Sequence, residues 1–174
     1  NNAAVGRDAL RALVSNSNCT ALGYQAARAS TAADTTAIGS NALALSTGGN
    51  SNTAVGSSAM GLSIVTGGFN TAVGWASGGQ LTSGVGNTIL GQAAGTSLTT
   101  GSSNIVIGSN SAVSAATTAN ELSIGSSSNY VATNGAAATY FATATAGAVV
   151  LGNALGFMRI YLNGTFVKIP VYGN

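Results

Sequence analysis

The sequence predicts an all-β protein, a repetitive β-solenoid or β-roll of about 17 residues per coil over eight coils, with a small C-terminal β cap. Three observations predict it. A glycine recurs at Gly6, Gly23, Gly39, Gly56, Gly74, Gly91, Gly108 and Gly125, at intervals of 16 to 18 residues. The three residues before the glycine read mostly Thr–small–aliphatic, as in Asn52-Thr53-Ala54-Val55-Gly56 and Asn70-Thr71-Ala72-Val73-Gly74, with looser variants in the other coils. No sustained 3.6-residue periodicity competes, and 25 glycines oppose long helices.

Each part of the unit has a physical reading. The column before the glycine is always aliphatic: Val5, Leu22, Ile38, Val55, Val73, Leu90, Ile107 and Ile124. The column three before it is mostly Thr, and the column between is mostly Ala. Residues two apart share a strand face, so Thr and the aliphatic lie together and Ala lies opposite. β-branched residues suit such a strand. The glycine ends it by permitting positive φ or close backbone approach. A unit this short cannot close a core alone, so coil must stack on coil, with equivalent strands about 4.8 Å apart. The aliphatic column is expected to form a ridge inside the stack, with Thr also turned inward. Asn52, Asn70, Asn87 and Asn104 are expected to hydrogen-bond to one another up the stack, as ladders do in stacked sheets. Arg7 to Leu13 could form a helical turn.

The pattern divides the chain into a shaft (1–125), a transition (126–146) and a C-terminal hairpin cap or tip (147–174). After Gly125 the period stops. Seven of the ten aromatic residues lie beyond residue 129. Asn134-Gly135 and Asn163-Gly164 are hairpin-turn dipeptides. The second is flanked by Met158–Leu162 and Thr165–Ile169, which predicts a hairpin. Pro170 is expected to end pairing or to sit at a sheet edge. The chain opens inside a repeat, with Asn1-Asn2 already in the Asn columns, as expected of a fragment of a longer chain. No signal peptide is visible.

Charge is nearly absent. The eight charged residues give a net charge of +2, and none stands between Asp34 and Glu121. Arg7, Arg11, Arg28, Arg159 and Lys168 make no dense patch, so nucleic acid is not an expected partner. Such a composition can signal prion-like disorder, but the regular aliphatic column argues against it. The apolar run from Ala136 to Leu151 is broken by Thr139, Thr143, Thr145 and Gly147, so membrane insertion is not expected. Cys19, the one cysteine, occupies a ladder position and reads as a half-buried thiol, with an interchain bridge as the alternative.

The sequence offers no catalytic residues, no metal ligands and no cofactor site. There is no His, and the three carboxylates, Asp8, Asp34 and Glu121, are far apart. No pair is placed for acid–base work or for nucleophile activation. Gly84-Val85-Gly86 lacks the Lys of a phosphate loop. The expectation is a non-enzyme. Trp75 and Phe69 interrupt small-residue columns and read as edge packing or a surface patch.

The strings Asn52-Thr53-Ala54-Val55-Gly56-Ser57-Ser58-Ala59-Met60 and Asp34-Thr35-Thr36-Ala37-Ile38-Gly39-Ser40-Asn41-Ala42-Leu43 resemble the NTAVGxxAL-type repeats of bacteriophage tail and head fibres. They are also similar to the β-roll heads of trimeric autotransporter adhesins, whose repeats are shorter. The C-terminal Arg159–Thr165 and Ile169–Tyr172 resemble the short β endings of phage fibre chains. The resemblance implies a homotrimeric appendage on the virion surface. It implies host attachment by adhesion through the tip to a cell-surface glycan or protein, with other virion appendage proteins as further partners. Tyr130, Tyr140, Tyr161 and Tyr172 are then candidate receptor contacts, because Tyr stacks on sugar rings; the alternative is that they form the core of the cap. A bacterial extracellular adhesin head, or a self-assembling extracellular filament subunit, is the competing function. An ice-binding solenoid is a third, opposed by the inward expectation for Thr.

Overall fold

The computed structural model describes the backbone of residues 1–13, 17–126, 129–134, 138–140, 154–162 and 165–172, and the side chains of 1–13 and 17–125. The chain divides into two compact units, Asn1–Ala144 and Thr145–Asn174.

The first unit is a parallel β-solenoid. Strands β1 (Ala3–Val5), β2 (Thr20–Leu22), β3 (Thr36–Ile38), β4 (Thr53–Val55), β5 (Thr71–Val73), β6 (Thr88–Leu90), β7 (Ile105–Ile107) and β8 (Leu122–Ser126) pair in sequence order. The pairing keeps the columns of the sequence: Thr36 lies beside Thr53, Ala37 beside Ala54, and Ile38 beside Val55. Seven turns of the coil bring back these eight strands, which corrects the expected eight coils. Beyond β8 the sheet changes sense. β9 (Asn129–Asn134) runs antiparallel to β8, and β10 (Ala138–Tyr140) runs antiparallel to β9.

The second unit is a two-stranded antiparallel sheet of β11 (Ala154–Leu162) and β12 (Thr165–Tyr172), in which Leu162 opposes Thr165. Pro170 does not end the pairing. It opposes Phe157, and the ladder continues to Tyr172. A two-stranded sheet has only edge strands, so a residue without N–H is tolerated there.

The interior is narrow. From β2 onward the strand column between Thr and the aliphatic points into it: Ala21, Ala37, Ala54, Ala72, Ile89, Val106 and Ser123 are all buried, whereas Ala4 in the first strand is exposed. The opposite wall supplies Leu43, Met60, Val65, Leu81 and Leu98, each fully buried. Volumes compensate across the lumen. Where Ile89 replaces Ala in the strand, the facing wall carries Gly78 and Gly95. A Cβ on Gly78 would lie 2.9 Å from Ile89 Cδ1, and one on Gly95 would lie 3.1 Å from Ile89 Cγ2. Close packing allows only such paired changes.

The residues after each repeat glycine do not form the expected helical turn at Arg7–Leu13; among the described residues there is no helix. Asp8 has φ 60° and Leu10 φ 52°, and later coils repeat the alternation at Gln25 and Ala27 and at Asn41 and Leu43. Alternating φ turns every second N–H group out of the turn toward a neighbouring coil, while the N–H groups between, such as that of Ala26, bond within the turn. Gln25 N–H donates to Arg7 O in the coil before, and Ala27 N–H to Ala42 O in the coil after. An α-helix would direct these bonds within one coil and leave the neighbouring coils unjoined.

The repeat glycine permits the stacking itself. Gly39 has φ +130°, and a Cβ there would lie 2.6 Å from Gly56 O.

Candidate interaction face

The outward face of the solenoid sheet is the most regular surface among the described residues. From β2 to β7 each strand buries its centre and leaves its two ends exposed, as in β2 and β6, or half-buried, as in β3 and β4. The aliphatic column therefore faces outward. Val5 is 63% exposed and Leu22 48%, with Leu90 and Ile124 similarly uncovered, whereas Ile38, Val55, Val73 and Ile107 are half-buried. The Thr column stands beside it, running Thr20, Thr36, Thr53, Thr71 and Thr88 before giving way to Ile105 and Leu122.

This overturns the inward ridge expected from the sequence, and the inward Thr with it. Period-two alternation places Thr and the aliphatic on one face without saying which face meets the core. Lumen width decides. The wall opposite the sheet already contributes Leu43, Met60, Leu81 and Leu98, so the strand centres have room for Ala and little more. The larger aliphatics are left outside.

Two margins flank the face. One is the residue after each repeat glycine: Arg7, Tyr24, Ser40, Ser57, Trp75, Gln92 and Ser109. On it the Arg7 guanidinium lies 5.9 Å from the centroid of the Tyr24 ring, and Ser109 Oγ donates to Gln92 Oε1 at 2.8 Å. The other margin is the residue five before each glycine: Asn18, Asp34, Ser51, Phe69, Gly86, Ser103 and Asn120, all at positive φ between 54° and 69°. Trp75 (57% exposed) and Phe69 (69%) stand on these margins with most of their surface in solvent, so neither serves as packing on its own chain. Between the margins the face carries no charged side chain.

Inside the coil, the Asn ladder holds the stack. Asn70 Oδ1 accepts from the backbone N–H and Nδ2 of Asn87, each at 2.9 Å. Asn87 Oδ1 accepts from the same two groups of Asn104, each at 3.0 Å. Asn70 Nδ2 also donates to Gly84 O at 2.8 Å, and Asn87 Nδ2 to Gly101 O at 3.0 Å. Glu121 ends the series. Its N–H donates to Asn104 Oδ1 at 2.9 Å, but a carboxylate has no hydrogen to pass on. Its oxygens instead accept from Ser114 N–H at 3.0 Å and Ser114 Oγ at 2.7 Å.

The carboxylates stay apart in the fold. Asp8 pairs with Arg7 at 3.7 Å, and Asp34 Oδ1 accepts from Asn18 Nδ2 at 2.9 Å. No group of three metal-ligating side chains occurs among the described residues. Among them, no helix is long and apolar enough to cross a membrane. Cys19 is buried at the ladder position, its Sγ donating to Ala32 O at 3.3 Å. Tyr130, Tyr140, Tyr161 and Tyr172 lie outside the described side chains.

In comparison with known proteins, the chain matches no protein-family model, no curated protein and no solved structure.

The repeat glycines and the Asn ladder were legible in the sequence, and this face was not. The signal that could have found it was the small volume of the central strand column. Ala at most strand centres cannot fill a core unless the opposite wall does so.

Proposed function

We propose that this chain forms the shaft of a homotrimeric virion fibre, a bacteriophage tail or head appendage that adheres to the host cell surface through its tip. The observation that carries the reading is the outward aliphatic face running from Val5 to Ile124. Aliphatic side chains left exposed or half-exposed at every coil mark an interaction site. A face without charge that repeats at every coil suits identical chains side by side, where each coil meets its copies at the same height around an axis. The NTAVGxxAL-type repeats support the same reading by resemblance. In such a fibre, three weak tip sites at high effective concentration would hold a surface glycan by avidity.

The native mass, measured by light scattering after gel filtration, tests this. A species of about three times the 16.7 kDa chain is expected. A monomer overturns the trimeric fibre. Open-ended polymers move the reading to a filament subunit.

One further reading gains from a specific observation. The Thr column faces solvent, so the objection to an ice-binding solenoid is gone. Five in-register threonines, exposed or half-exposed, stand beside an aliphatic column in an uncharged array. A trimer would cover that array. A monomer with thermal hysteresis that is lost in Thr53→Lys would establish the ice-binding reading in place of the fibre.

A further inference from the structure

Phe69 occupies a position that does not suit it. Its φ is 60°, and the equivalent positions of other coils carry Asn18, Asp34, Ser51, Gly86, Ser103 and Asn120. These are small residues, mostly Asn, Asp or Gly, the types that tolerate the left-handed region. A bulky aromatic there is strained. Strain persists where something else holds it, and within its own chain Phe69 gains no burial. Trp75, 57% exposed, stands on the other margin of the same coil, whereas Tyr24, 44% exposed, stands three coils earlier with no aromatic on the facing margin of its own coil. Strand β5 (Thr71–Val73) lies between Phe69 and Trp75. Phe69 stands two residues before the strand and Trp75 two residues after it. They are on opposite margins of one face, at one height.

A three-fold axis turns this arrangement into a contact. When three identical faces point at a common axis, the margin before the strand in one chain meets the margin after the strand in the next. We infer that Phe69 of each chain packs against Trp75 of its neighbour around that axis, and that these contacts set the axial register of the fibre. The inference rests on the homotrimer proposed above.

Register needs such a device. The Thr and aliphatic columns repeat almost unchanged from coil to coil, so sliding one chain by a single coil, about 4.8 Å, would exchange like for like. Repetitive strands specify register weakly. The aromatics break the degeneracy. A slip of one coil would set Trp75 against Ser51 or Gly86, and Phe69 against Ser57 or Gln92. Only the in-register trimer covers both rings together, and aromatic pairs across an interface are typical anchors. The small and polar margin residues of the other coils meet without like charges, Asp34 opposite Ser40 and Gly86 opposite Gln92.

Trp75 is the only tryptophan of the chain, so its emission reports this contact alone. The full chain would be prepared with Cys19→Ser and the pair Phe69→Cys and Trp75→Cys, then treated with a mild thiol oxidant. Covalent trimers are expected on a denaturing gel, and none from either single cysteine variant. In the chain with native Cys19 and Trp75, Phe69→Ala should shift the Trp75 emission to the red in the trimer. Phe69→Ala removes an exposed side chain, so the fold survives the test. A protein that is trimeric by mass, yet gives no covalent trimer and an unchanged emission, overturns the register contact and leaves the trimer standing. A monomeric mass overturns the trimer, and the contact falls with it.

Discussion

The first coils and the later coils of the solenoid share one backbone plan and differ in how it is held together. From Asn52 to Asn104, a continuous ladder of buried amides runs up the stack; the side chains of Asn70, Asn87 and Asn104 bond to the coil on either side, and that of Asn52 to the coil after it. In the earlier coils the series breaks off: Asn2 Oδ1 accepts from Cys19 N–H, but the next two positions hold Cys19 and Thr35, whose side chains bond to carbonyls of Ala32 and Ala33. The earlier coils also hold five of the six charged residues found in residues 1–125, whereas the ladder coils hold none until Glu121 closes the series. Strand pairing and the turn pattern alone therefore suffice to form a coil. The ladder adds cross-linking where side chains carry no charge.

The comparison breaks most severely at a feature the two regions share. Gly23→Ala and Gly91→Ala should each destabilise by about 3 kcal/mol or more, through positive φ and overlap with the next coil. A Cβ would lie 2.6 Å from Gly39 O in the first case and 2.5 Å from Gly108 O in the second. Equal losses are expected in thermal unfolding. A loss confined to Gly91 would mean that the early coils are not stacked as described.

Asn87→Ala should cost about 2–4 kcal/mol, because it leaves Gly101 O and the amide groups of Asn104 without their buried partners. Cys19→Ala should cost about 1 kcal/mol, since a thiol makes only weak bonds. Urea titration of the two variants measures the difference between the regions. Equal values would remove the distinction.

Glu121→Ala should destabilise by about 1–3 kcal/mol by leaving Ser114 N–H unsatisfied. Hydrogen exchange should show the effect around β7 and β8, at the last turn, before it reaches the early coils. A uniform effect would argue against a local closing role.

The smallest effect is expected at Phe69→Asn. It should stabilise the isolated chain by about 1 kcal/mol, since Asn suits the left-handed backbone there. The same change should weaken chain association, read from the protein concentration at which the trimer dissociates. Gain in one and loss in the other separates folding from assembly at a single residue.

Much of the shaft was legible because stacking repeats leave their period in the chain. The glycine column marks where backbones approach closely, and its spacing set the coil length. The Asn ladder was legible because identical amides at one period can satisfy each other. The antiparallel pairing of β11 with β12 follows from apolar runs on either side of a turn dipeptide. The turn after each glycine was not legible. Its alternating φ depends on hydrogen bonds to neighbouring coils, and residues such as Leu10, Leu43 and Met60 carry no local preference for it. The outward face was missed for a related reason: a strand pattern has two faces and no label for inside.

The sequence by itself determined the repeat, its period, the strand positions, the column register and the place where the period stops. These follow from local chemistry repeated at fixed distance. Only the tertiary structure decided which side of each strand met the core. That choice depends on the volume delivered by the opposite wall, from Leu43, Met60, Leu81 and Leu98. Those residues meet the strands only once the coil has closed.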